Sequence, residues 1–135
     1  MELGEALFQY LSNHSDLKEK IGDRIYPIMM PQNAKLPVII YSQISTRRSH
    51  ALQKDTGFVS QTIQFSCHGK SYKEAVALSK TLRKILQNFS GTMGDLTIQG
   101  VLLIGEVTLS QGTTTNYRTD QFIISTDYEF QYIED

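Results

Sequence analysis

Between Thr119 and Ile133 the side chains alternate with a period of two. Phe122, Ile124, Thr126, Tyr128, Phe130 and Tyr132 fall on one side, and Ile123, Ser125, Asp127, Glu129 and Gln131 on the other. Successive strand residues point to opposite faces of a sheet, so this pattern dictates a strand and not a helix. Its length, with one apolar and one mostly polar side, predicts an antiparallel strand with one wet face.

Such a strand needs partners, and three more segments supply them. Pro37–Thr46 (PVIIYSQIST) is rich in β-branched residues, and Pro37 suits a strand start. Phe58–His68 alternates Val59, Gln61, Ile63, Phe65 and Cys67 against Ser60, Thr62, Gln64 and Ser66. Val101–Leu109 is the fourth, with Gly105 marking a bulge or close contact. Arg24–Ile28 reads as a minor extended segment and Met29–Leu36 as a loop.

Helical periodicity occurs twice. Leu3, Leu7, Phe8, Tyr10 and Leu11 make one face of a first helix, with Glu2 and Glu5 at its positive end. After a break at Ser12-Asn13-His14, Ser15 reads as the N-cap of a short turn, Asp16–Ile21, ended by Gly22. Ser71–Phe89 is the main helix, opened by a Ser71–Glu74 capping box. Tyr72, Ala75, Val76, Leu78, Leu82, Ile85, Leu86 and Phe89 form its apolar stripe. Asn88 and Gly91 stop it, and Gly91-Thr92-Met93-Gly94 reads as a turn. Strands and helices that do not alternate strictly predict an α+β fold: an antiparallel β-sheet with two main helices packed on one face. The 135 residues suit a single domain, 1–135.

Composition excludes several functions. Thirteen Lys and Arg against fourteen Asp and Glu give a net charge of −1, so no strongly basic surface is available to grip nucleic acid. The longest clear apolar run, Val101–Ile104, is far short of a membrane span, and the MELGEALFQYL start is not a secretory signal. The expectation is a cytoplasmic protein. Cys67 is the one cysteine, which rules out an internal disulfide.

No phosphate-binding, dinucleotide-binding or nucleophile-elbow motif occurs. His14, His50 and His68 lack metal-ligand spacing, and Cys67 and His68, adjacent on a strand, point apart. No catalytic, cofactor or metal site is expected. Two long loops, Arg47–Gly57 and Ser110–Arg118, attract attention instead. Arg47, Arg48, His50 and Lys54 make the first basic, Asp55 partly offsets them, and Leu52 is an apolar residue that an interface could bury. The second supplies Thr113, Thr114, Asn116, Tyr117 and Arg118. The readings weighed for the first are a solvated loop, a protein interface and, least, a nucleic-acid contact. The neutral Ser60, Thr62, Gln64 and Ser66 row suits either plain solvent or a wet assembly interface.

The order of several short pieces resembles a known family. They are Arg24-Ile25-Tyr26-Pro27, Leu36-Pro37 before the Val38–Tyr41 strand, Ser71-Tyr72 with Glu74-Ala75 opening a helix, and Tyr117-Arg118 before the last strand. Over nearly the whole chain this resembles the tail-completion proteins, also called tail-terminator or tail-to-head joining proteins, of long-tailed siphophages. The resemblance implies a structural, non-enzymatic virion protein at the head–tail interface, assembled in the bacterial host cytoplasm. It implies a ring, hexameric in such families, that caps the head-proximal end of the tail tube and ends its growth. The implied partners are the tail-tube protein, a head-completion or connector protein and further copies of itself. No membrane and no specific nucleic acid are expected. The alternatives are a head-completion stopper and, from another class, a small cytoplasmic enzyme or ligand-binding domain.

Overall fold

A computed structural model describes residues 2–50, 55–109 and 122–133, apart from the side chains of 47–50, 55, 56 and 109. The elements run α1 (Leu3–Ser12), α2 (Ser15–Ile21), β1 (Ile25–Pro27), β2 (Val38–His50), β3 (Asp55–Gly69), α3 (Tyr72–Leu86), β4 (Gly91–Met93), β5 (Leu96–Leu109) and β6 (Phe122–Ile133).

The helices start where side chains satisfy their first backbone donors. The Glu2 N–H donates to the Glu5 carboxylate at 3.3 Å and closes the first turn of α1. In α2 the cap is His14 and not Ser15: its Nδ1 accepts from the Asp16 N–H at 3.3 Å, so Ser15 becomes the first helical residue. Gly22 ends that helix, its N–H donating to the Lys18 carbonyl. In α3 the Ser71 hydroxyl accepts from the Glu74 N–H at 3.1 Å, and the Glu74 carboxylate reaches back to the Lys70 N–H at 2.7 Å.

The main helix stops at Leu86, three residues before the expected Phe89. The chain beyond it serves β5 instead: the Asn88 N–H donates to the Val101 carbonyl at 3.0 Å, and the Gln87 side-chain oxygen accepts from the Leu103 N–H at 2.9 Å. The buried stripe is also narrower than expected. Ala75, Leu78, Leu82 and Leu86 are buried, Val76 is half-buried, and Tyr72 is exposed at the margin of the helix.

The six strands form one sheet in the order β1-β2-β3-β6-β5-β4. It is mixed and not purely antiparallel, because β1 pairs parallel to β2, Ile25 beside Ile39 and Pro27 beside Tyr41. A parallel neighbour needs a crossover, and the proline-rich segment 28–37 provides it. That segment is more than a loop. Its Ala34 and Leu36 pack with Val38 in a small second cluster joined by Tyr26, Met30 and Ile40. Val38 and Ile40 alternate with the core residues Ile39 and Tyr41, so this cluster covers one end of the opposite sheet face.

Three helices, where two were expected, contribute to the main core. Leu3, Ala6, Leu7 and Leu11 of α1, Leu17 and Ile21 of α2, and Leu78, Leu82 and Leu86 of α3 join one cluster with Ile39, Val59, Ile63, Phe65, Tyr128 and Phe130. Phe65 sits among aromatic rings, edge-on to Tyr128 at 5.7 Å between centroids. Gly69 ends β3 where α3 begins; a Cβ there would stand 2.7 Å from the Ala75 nitrogen, so the close approach requires glycine.

Two sequence boundaries move. Gly91–Met93 is not a turn but strand β4, paired with Leu96–Ile98. The reversal falls on Gly94-Asp95, with Gly94 at φ +57° as a two-residue hairpin turn favours. Likewise Arg47–Gly57 is mostly strand: β2 and β3 stay paired to His50 and Asp55, with register shifts at Gln43/Ser45 and Arg48/His50 absorbing mismatched residues. The second long loop, Ser110–Arg118, lies outside the described residues, as do 51–54.

Candidate assembly surface

The face of the sheet turned away from the helices is built from transverse rows fixed by strand register. One runs Ile40–Ser66–Ser125–Val107, the next Ser42–Gln64–Asp127–Gly105, and a third Ser45–Thr62–Glu129–Leu102. The expected polar row of β3 is present here: Ser60, Thr62, Gln64 and Ser66 are all half-buried, while Val59, Gln61, Ile63, Phe65 and Cys67 are buried on the helix side. Segment 28–37 covers one end of the polar face; among the described residues no helix covers the rest.

Apolar side chains break into this polar surface at its margins. Leu102 and Val107 of β5 are 49% and 56% exposed. Ile44 and Ile104 are the extra residues at two register shifts, one in β2 and one in β5, and both are more than half exposed. Bulges are the reason: an inserted residue leaves the ladder and turns its side chain out of phase with its neighbours. Gly105 gave a sequence signal for one of them. Ile44, an isoleucine off the alternation in Ser42-Gln43-Ile44-Ser45, was the signal available for the other. The resulting face combines Ser, Thr and Gln side chains of β2 and β3, the carboxylates Asp127 and Glu129 of β6, and exposed apolar residues at its margins.

Of the eleven interface residues expected from sequence, four fall on described backbone at the β2–β3 tip. Arg47, Arg48, His50 and Asp55 stand on paired backbone at the β2–β3 tip, with His50 opposite Asp55. Their side chains, and all of Leu52, Lys54, Thr113, Thr114, Asn116, Tyr117 and Arg118, lie outside the described residues.

The groups that could carry chemistry occupy structural positions. Cys67 is fully buried, and burial first, then the Glu106 charge, pushes its thiol up to about 12. It therefore stays protonated at neutral pH and is shielded from reagents. His68, next to it, faces the other side of β3. His14 caps α2. Among the described residues no group of three or more His, Cys, Asp or Glu could hold a metal ion. A concavity of about 620 Å³ opens among Arg24, Asn33, Lys35 and Lys70. No helix among the described residues is long and apolar enough to cross a membrane.

Comparison with known proteins bears on the fold and the family. A chain from the virion of a native gene transfer agent particle shares the fold, with a TM-score of 0.69 at 14% identity, over 97% of this chain and 94% of that one. A second solved structure aligns at a TM-score of 0.53 and 14% identity, covering 100% of this chain and 99% of its own. No curated protein sequence matches. The fold is thus one found in a phage-like virion. The family model for tail completion protein gp17 matches residues 5–127, and the chain belongs to that family. It is a structural protein of phage tails, acting in virion assembly among other phage structural proteins.

Proposed function

We propose that this protein caps the head-proximal end of the tail tube as a ring, stops tube growth and joins the tail to the head connector. The observation that carries this reading is the sheet face that no helix among the described residues covers, where rows of Ser, Thr and Gln with Asp127 and Glu129 lie beside the exposed Leu102 and Val107. An isolated solvent face gains nothing from such apolar residues, whereas a ring or tube end buries them. Its partners in this reading are the tail-tube protein, the head-completion or connector protein and copies of itself, six by family resemblance. The 135 residues act as one domain and need no cofactor. The Arg47–Gly57 tip is a protein contact and not a DNA-binding element.

An epitope tag and a labelled antibody viewed by electron microscopy test the location. Label confined to the head–tail joint is expected, and the same label on tails made without heads separates tail completion from a head-bound stopper. Label along the tube, or only on tail-free heads, would overturn the reading.

A further inference from the structure

The sheet ends in two steps. On one side β1 covers only Ile39–Tyr41 of β2, and among the described residues no strand pairs with the outer edge of Ser42–His50. On the other side β4 covers Leu96–Ile98 of β5. Gln87 and Asn88 bond to Leu103 and Val101, and among the described residues no strand lies beside the edge of Gly105–Leu109. Register places these gaps at opposite ends: Thr108 is in the row of Ile39, whereas Arg48 is in the row of Ile98. Long open edges invite pairing with another chain, and Ile44 on one and Ile104 and Val107 on the other stand exposed beside them.

We propose that the open edge of β2 pairs with the open edge of β5 on a neighbouring copy, so that the sheet continues from copy to copy. The proposal rests on the ring reading above and names the contact that builds the ring. Three features select a second copy as the occupant. The first is polarity. Apart from β1, all neighbouring strands are antiparallel, so β2 and β5 run in opposite directions. Copies in the same orientation then bring β2 against β5 antiparallel, and the alternation continues without a fault.

The second feature is the fit of the steps. The β2 gap centres near Ser45 and the β5 gap near Val107, which shares a row with Ile40, so pairing needs an offset of about five residues, or ~16 Å. Each copy adds four strand spacings, ~19 Å across the sheet. An offset of that ratio tilts the strands by ~40° from the axis of a closed array, within the range barrels adopt. The third is charge: by register Arg48 of the β2 edge and Glu106 of the β5 edge both occupy helix-side positions of the sheet, where Glu106 also accepts from the Ser79 hydroxyl. An edge contact that joins two different patches is heterologous, and heterologous contacts close into rings.

Cysteines placed at the two edges test this in assembled particles. Ile44→Cys and Val107→Cys occupy exposed positions, and the native Cys67 is fully buried and inert. A bismaleimide linker of about 10 Å tolerates a register slip of about three residues. Treated particles carrying the double variant should yield a ladder of covalent multimers, and particles with either single variant should yield monomer alone. Monomer alone from the double variant, in particles that contain the protein, would overturn edge pairing and leave the ring reading standing. Dimers from a single variant would overturn it in favour of two-fold contacts. Wild-type protein absent from the particles would overturn the ring reading and this contact with it.

Discussion

The Tyr132 hydroxyl donates to the Gln61 side-chain oxygen at 2.8 Å, and both residues are buried on the helix face of the sheet. They are not register partners, since Gln61 lies opposite Phe130 and Val59 opposite Tyr132, so the bond crosses the strands diagonally. It explains how a glutamine sits among Val59, Ile63 and Phe65. Tyr132→Phe takes the donor away from the buried Gln61 oxygen and should cost about 1–3 kcal/mol, and Gln61→Leu removes the same bond from the other side. The double variant should cost clearly less than the sum of the two, measured by urea titration. Additive losses would show the bond contributes nothing.

Leu82 and Val76 separate the real helix stripe from the one the sequence suggested. Leu82 is fully buried and Val76 only half so. Leu82→Ala should cost about 2–5 kcal/mol, and Val76→Ala under about 1 kcal/mol. A Leu82→Ala loss below about 0.5 kcal/mol would contradict the packing of α3 on the sheet.

Stability should fall in alkali. The Cys67 thiol, ordinarily near 9.0, is held up to about 12 in the folded protein, chiefly by burial. Burial also raises Tyr41, and it is the leading cause of the raised Tyr128 hydroxyl. The unfolded chain therefore loses these protons first. Their contribution is complete below about pH 9 and is lost as the pH climbs through the folded values. Chemical denaturation between pH 8 and 11 should show the decline. Cys67→Ala should make the slope shallower, with the tyrosines retaining part of it; an unchanged slope would place the thiol outside the core.

At the β2–β3 tip, Arg47→Ala, Arg48→Ala and Leu52→Ser together should leave the circular dichroism spectrum intact and fail to restore tail–head joining in a deletion strain. Full restoration would make the tip plain solvent surface. Wild-type protein should bind DNA weakly at physiological salt, as two or three cations release few counterions. Tight, salt-sensitive binding would favour a nucleic-acid contact.

Period-two alternation made β3 and β6 legible, because one side of each strand lies against a continuous core. The main helix was legible from its cap, yet its end was not. Gln87 and Asn88 stop it by bonding to β5, a contact distant in sequence. β1 escaped assignment to a parallel pair since three residues carry no period, and β4 since its Gly-Thr-Met reads as punctuation. The polar row of β3 was visible as a surface. Its margins, set by bulges at Ile44 and Ile104, depend on which strands pair, and that information is not local.

Electron microscopy of particles made without the gene tests the central claim most directly. Tail completion at the tube's head-proximal end predicts DNA-filled heads and separate tails, with tubes of irregular length, and joining restored when purified protein is added. Normally joined particles with tails of uniform length in the absence of the protein would contradict it.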